Sequence, residues 1–210
     1  MDLLTSAALG LGAAWASGLN VYAVALTLGL LDAAGWIDLP PHLEPLSSST
    51  VLAVAAIMYV VEFVADKVPG LDHVWDVIHT FIRIPAGAII AAAAFVDVDP
   101  QLAAAAALVG GTLAAGGHLT KLSTRTAVNL SPEPVSTALV SLFEDALAFM
   151  TALVAVFFPA LALIGLVLIV AGTIWLLPKL LRLFARLVAR VTRWLRGTPP
   201  PADEPFSRRS

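Results

Sequence analysis

The sequence predicts an all-α bundle that crosses a membrane about six times and ends in a basic amphipathic helix. Three observations predict it. Apolar residues make up 59% of the 210-residue chain and charged residues only 13%, against about 25% charged in an ordinary soluble domain. The apolar residues fall in runs approaching or exceeding the roughly 20 residues that a helix needs to cross a bilayer. Basic residues are confined to alternate connections between those runs, the mark of a fixed orientation. Helix is the required element, because a spanning backbone must satisfy its own hydrogen bonds. Cysteine is absent, so disulfides and thiolate metal sites are excluded.

Taken in order, the first span is expected from about Leu3 to Leu31 and the second from Thr50 to Val64. The third runs from Val74 to Val96, the fourth from Leu102 to Leu122, the fifth from Val135 to Phe157 and the sixth from Phe158 to Leu177. The opening MDLLTSAALGLG has neither a basic start nor a cleavage signal, so it reads as the beginning of the first span. The segments 32–49 and 97–101 carry Asp32, Asp38, Glu44, Asp97 and Asp99 and no Lys or Arg. The other side receives Lys67, Arg83, Lys121, Arg125, Lys179 and the C-terminal arginines. Positive segments stay in the cytoplasm, so six spans place both termini there. The expected setting is a bacterial cytoplasmic membrane.

The expected domains are a membrane part over 1–178, a basic helix over 179–196 and a disordered tail over 197–210. In KLLRLFARLVARVTRWLRG, Arg182, Arg186, Arg190, Arg193 and Arg196 recur at spacings of four, four, three and three. They form one stripe of a helix lying on a membrane surface, where each basic residue gains about 1 kcal/mol from anionic lipid. Plain anchoring is the simpler reading and recognition of a particular lipid the sharper one.

LGLGAAWASGL (9–19) and VGGTLAAGGHL (109–119) align without gaps at an offset of one hundred. Each is followed by polar groups inside an apolar run, Asn20 and Tyr22 in one, Thr120 and Lys121 in the other. Three spans per half give the expectation of an inverted repeat over 3–97 and 101–178, as in many small transporters. The small residues also let helix backbones approach closely. Alternatively, Ser17–Gly18 and Gly116–Gly117 would mark breaks in the first and fourth helices.

The charges inside the apolar runs are the candidate site. Glu144 and Asp145 lie near the middle of the fifth span, where an acid costs roughly 2.5–3.5 kcal/mol to insert and marks a pathway or an ion pair. As neighbours they point about 100° apart, so one is expected to face a cavity and the other to pair with Lys121 or Arg125. Glu62 and Asp66, four apart, share a face. Val68-Pro69-Gly70 reads as a turn. Beyond it Asp72, Asp76, His79 and Arg83 form one helical stripe, either on the membrane surface or lining a polar vestibule. Asp72, Asp76 and His79 have metal-ligand chemistry, but Arg83 in the same stripe would repel a cation. An ion pair of Arg83 with Asp76 or Glu62 is the preferred reading, and the metal identity stays unknown. Enzyme motifs and phosphate-cradling loops are missing, so no catalysis and no cofactor are expected.

ASGLNVYAVALTLGLL (16–31) and EFVADKVPGLDHVWDVIHTFIRIPAGA (62–88) resemble the domain-of-unknown-function 4126 family of small bacterial membrane proteins. The resemblance covers roughly residues 5–177. It implies membrane localisation and no particular activity. It also implies that Asn20, Glu62, Asp66, Lys67, Pro69, Asp72, Trp75, Asp76, His79 and Arg83 belong to the family's recurring pattern.

The leading functional expectation is a small transporter or permease. Its polar cavity would be lined by Asn20, Glu62, Arg83 and Glu144 or Asp145, with one acid as proton or cation site and Arg83 or Lys121 holding an anionic group. The alternatives are a lipid-handling, scramblase-like protein and a non-transporting scaffold. Expected partners are the bilayer with its anionic lipids, a small solute, ion or lipid, and a second copy of the chain; nucleic acid is not expected.

Overall fold

The computed structural model describes residues 1–68, 71–129 and 134–195, and their regular structure is helical throughout. The expectations for Pro69 and Gly70, for Arg196 and for the tail 197–210 lie outside these residues. The helices are α1 (Leu3–Ala33), α2 (Ser49–Ala65), α3 (Leu71–Phe95), α4 (Pro100–Asn129), α5 (Pro134–Phe157) and α6 (Pro159–Leu195), with a short 3-10 turn at Glu44–Ser47 before α2. Local chemistry sets the ends. Asp2 caps α1 by accepting the Thr5 N–H at 2.8 Å, and Asp99 accepts the Gln101 N–H at 2.8 Å at the start of α4. The chain leaves α1 through Gly35 at φ +71°. Gly35 N–H bonds to Asp32 O and Trp36 N–H to Leu31 O, a Schellman closure that needs a left-handed residue.

α3 runs unbroken through Pro85 close to the expected Val74–Val96, so residues 72–83 and the apolar segment after them are one helix. One expected boundary changes. α6 likewise continues through Pro178, so the basic segment is its last part.

Residues Met1–Thr173 form one compact unit, and α1 is its axis. In α1, 78% of the apolar window is buried, against 33–39% in α3, α4 and α5. It packs along α3, α4 and α5 and also meets α2 and the 3-10 turn. Leu9, Trp15, Leu19, Val24 and Leu28 of α1 form the core with Ile90 of α3, Ala148 of α5 and Leu166 of α6. Outward faces are apolar: Ile57, Val77, Phe81, Leu108, Phe143 and Val167 are all exposed. Water disfavours such a surface and lipid accepts it. α1, α3, α4 and α5 are long and apolar enough to cross a membrane, while α2 and the segment 159–172 are apolar but shorter.

The two glycine-rich stretches meet where α1 and α4 cross. A Cβ on Gly18 would strike the Ala114 carbonyl and the His118 amide; a Cβ on Gly117 would strike the Trp15 carbonyl. Backbone touches backbone here, as in small-residue crossings of membrane helices.

The second unit, Ile174–Ser210, is described as helix to Leu195. Its Lys179 ammonium sits 3.0 Å from the centre of the Trp175 ring, and exposed Arg182 donates to the Pro178 carbonyl at 3.0 Å. The side chains of Arg186, Arg190 and Arg193 are outside the description.

Adjacent glycines of α4 should respond oppositely to alanine. Gly117→Ala should cost about 1–3 kcal/mol by overpacking. Gly116 has nothing within 4 Å of its Cβ position, so Gly116→Ala should be neutral or stabilise by about 0.5–1 kcal/mol. Thermal unfolding in one detergent compares them, and equal midpoints would mean that the α1–α4 crossing is looser than described.

Candidate functional site

α2, α3, α4 and α5 deliver charge to one half of the bundle. α3 and α4 pack together, and each carries a stripe at spacings of three and four, which keeps side chains on one helix face. On α3 the stripe is Asp72, Asp76, His79 and Arg83; on α4 it is His118, Lys121 and Arg125. Glu62 comes from the last turn of α2, Asp66 from just beyond it, and Glu144 and Asp145 from the middle of α5. All these residues are buried.

Arg83 donates to Glu62 Oε1 at 2.6 Å, to Asp76 Oδ1 at 3.0 Å and to His118 Nδ1 at 3.0 Å. A guanidinium can only donate, so Nδ1 accepts and His118 carries its proton on Nε2. That proton points at Thr80 Oγ1, 2.7 Å away, and the Thr80 hydroxyl donates to the Asp76 carbonyl at 3.0 Å. Lys121 uses its three donors on Glu62 Oε1 at 3.1 Å, Asp66 Oδ2 at 2.9 Å and the Leu19 carbonyl at 3.3 Å. Arg125 lies 2.7 Å from Asp66 Oδ2 and donates to Glu144 Oε2 at 3.2 and 3.3 Å; Asp72 is 3.9 Å from it.

The main chain of α1 breaks inside this network. Asn20 has φ −152° and ψ 101°, so the regular bonding pattern lapses there. The Ala23 N–H bonds to Asn20 Oδ1 at 2.9 Å. Its partner in an unbroken helix would be Leu19 O, the carbonyl that Lys121 now takes. Asn20 thus caps the second half of α1 while Lys121 caps the first. The Asn20 amide also donates to Asp145 Oδ1 at 2.9 Å. The break is at Asn20 and not at Ser17–Gly18, where the Ser17 hydroxyl bonds Ala14 O at 2.7 Å within regular helix. Gly116–Gly117 marks no break either, since α4 is continuous.

Charge does not balance. Among the described residues, six buried carboxyl groups (Glu62, Asp66, Asp72, Asp76, Glu144, Asp145) face three buried permanent cations (Arg83, Lys121, Arg125), with half-buried Lys67 nearby. Asp145 is the acid set apart. It is 3% exposed, holds only the Asn20 amide, and has no basic group within 4 Å among the described residues; its Oδ2 has no hydrogen-bond partner.

The structure therefore gathers Asn20, Glu62, Asp66, Asp72, Asp76, Arg83, Lys121, Glu144 and Asp145 into one cluster. The stripe at 72–83 faces the bundle interior. Glu144 and Asp145 reach different partners, as their 100° separation dictates. His79 stands at the edge, with Nε2 3.1 Å from Tyr22 OH, Nδ1 2.9 Å from the Trp75 carbonyl, and its ring stacked on Trp75. Arg83 bonds to both acids proposed for it. The described residues contain no group of three His, Cys, Asp or Glu arranged to hold a metal ion. One expectation changes: Arg83 and Lys121 are already matched by carboxylates, so neither is free for an anionic cargo. The same geometry weakens the count of positive segments, because Arg83, Lys121 and Arg125 lie inside helices. Sequence reasoning missed His118 and Thr80 and took Arg125 as a marker of orientation and a partner for the α5 acids, not as a partner of Asp66. The three-and-four spacing of His118, Lys121 and Arg125 was the available signal.

An all-helical bundle with exposed apolar faces, long apolar helices and its charges held inside is an integral membrane protein. The chain belongs to the family described as Domain of unknown function (DUF4126), whose model matches residues 7–179. The matched region contains every member of the buried cluster. No curated protein and no solved structure gives a significant match.

Arg83→Gln should cost about 3–5 kcal/mol, because Glu62 and Asp76 lose their shared guanidinium while staying buried. Arg83→Lys should recover only part of this, since an ammonium lacks the planar fork. Unfolding midpoints in detergent measure both, and wild-type values for Arg83→Gln would show that the network contributes no stability.

Proposed function

We propose that the protein is a small carrier of the bacterial cytoplasmic membrane that exchanges protons at Asp145, with both termini in the cytoplasm. The observation that carries this reading is a buried carboxyl group at a helix break with no basic group within 4 Å among the described residues. A lone carboxylate is strongly disfavoured in a low-dielectric interior, so its charge has to be matched by a bound proton or a small cation. One carboxylate and one amide make too few oxygens for a calcium-type site, which favours the proton. Intramembrane acids of this kind serve proton relays in pumps and transporters, and broken helices form the binding sites of many carriers.

The repeat fits the same reading. The two related stretches cross each other at Gly18 and Gly117, as the cores of two inverted halves would. The helix pairing is less symmetric, because α1 lies along α5 while α2 is tied to α4 by the Lys121–Glu62 pair. The orientation now rests on Lys67 and the basic end of α6. No catalytic group is assigned. Movement of lipid is the second reading, favoured by a side pocket between α1, α4 and α5 with exposed Leu139 and Phe143 at its wall.

The test is proton flux into proteoliposomes carrying a trapped pH dye. Wild type should dissipate an imposed gradient, and Asp145→Asn should lower the rate tenfold or more. If wild type passes no protons, proton exchange is ruled out, and labelled-lipid scrambling in the same vesicles becomes the deciding measurement.

A further inference from the structure

Between α1, α4 and α5 lies a pocket of about 260 Å³. Its walls are apolar: Trp15 and Leu147 inside, Leu139 and Phe143 toward the outer face of α5, where both are largely exposed. Such a mouth opens to lipid tails. The polar lining is Thr120, Lys121, Thr124 and Glu144.

The hydrogen-bond inventory of that lining decides what it recognises. Thr120 donates its hydroxyl proton to the Gly116 carbonyl at 2.9 Å, and Thr124 donates to the Thr120 carbonyl at 2.9 Å. Lys121 has spent all three donors on Leu19, Glu62 and Asp66. Besides the indole N–H of Trp15, the lining has no donor left. Acceptors outnumber it: both threonine oxygens keep lone pairs, and Glu144, only 6% exposed, has a buried Oε1 without a hydrogen-bond partner. A lining richer in acceptors than in donors favours a ligand that donates. The carboxyl excess of the adjacent network favours a positive one, and the Trp15 and Phe143 rings can face a cation.

We propose that this pocket binds the head of a lipophilic amine entering sideways from the bilayer, its ammonium donating to Glu144, Thr120 and Thr124. The volume is below the roughly 300–1,000 Å³ of sites for drug-sized ligands. The pocket therefore holds the amine and its first carbons, and the tail stays among the lipid chains. Phosphate and carboxylate heads find only the Trp15 indole N–H there, beside the Glu144 carboxylate. The amine has two sources, a free alkylamine or the ethanolamine head of a membrane lipid. As a statement about cargo the inference rests on the carrier reading above; as a statement about binding it stands apart from proton flux.

Equilibrium dialysis of radiolabelled dodecylamine tests it, comparing phosphatidylcholine nanodiscs that carry the full chain with empty ones. Saturable binding of about one amine per chain is expected. Unlabelled dodecylamine should displace it, and dodecanoate should not. Glu144→Gln should weaken binding tenfold or more. Leu139→Trp, which fills the mouth and leaves the ion network untouched, should do the same. Equal displacement by dodecanoate, wild-type binding in both variants, or no saturable component overturns the proposal. Discs containing phosphatidylethanolamine separate the sources: loss of dodecylamine binding there assigns the site to the lipid head, and retention assigns it to free amines. A chain that binds dodecylamine yet passes no protons keeps this inference and removes the carrier reading. Proton flux without amine binding does the reverse.

Discussion

Lys121 ties the broken helix α1 to the charged network. Its ammonium reaches a main-chain carbonyl of α1, Glu62 of α2 and Asp66 beyond α2, all from α4. A lysine carried bare into hydrocarbon would be expelled or neutralised. Here each of its three protons has an oxygen, so the charge stays. The same contact lets α1 break: a carbonyl freed in mid-helix needs a donor, and Lys121 is that donor. Asn20 meets the matching need of the Ala23 amide. The break, the cap and the cross-helix tie are one arrangement, and none of the three is stable in an apolar interior alone.

Such a network is not a cheap way to hold helices together. Buried ion pairs often do no better than apolar packing, and removing one partner is what costs most. The half of the bundle away from the charges shows the cheaper method, alanine and glycine faces meeting at van der Waals distance, with Ala14, Ala91, Ala94, Phe95, Ala103 and Ala106 in one cluster. The close crossing of α1 and α4 fixes two helix axes, and that fixed spacing brings Lys121 within reach of Leu19. A chain able to pack this way has no structural need for nine buried ionisable groups among Glu62, Asp66, Asp72, Asp76, Arg83, Lys121, Arg125, Glu144 and Asp145. Their excess of acid over base, concentrated at Asp145 beside the helix break, is the reason to look for ion movement.

Composition and the 3.6-residue period made the fold class, the helix order and the one-faced charged stripes legible in the sequence, while the structure decided that the stripe at 72–83 turns inward. Hydrocarbon permits no other spanning element and tolerates charge only where helices face one another, so Asp72, Asp76, His79 and Arg83 could be placed on one face from spacing alone. The pairing of those faces was not legible. Arg83 had several acids at plausible range, and only the approach of α2 and α3 brings Glu62 and Asp76 to it together. His118 escaped notice because a single histidine in a Gly/Ala-rich run carries no local signal; it matters because α4 lies against α3. The glycine pairs told of closeness without telling of what: Gly117 meets the Trp15 carbonyl and Gly116 meets nothing. The break moved from the glycines to Asn20 because a helix opens where a side chain and a neighbouring cation can satisfy the freed groups, not where the backbone is merely permissive. The sequence by itself thus determined a membrane bundle and which side chains share a helix face, since both follow from local periodicity in an apolar solvent. Which charges meet, which acid lies outside the ion pairs of the described residues and where α1 opens were decided only by tertiary structure, because each depends on distances between helices far apart in the chain.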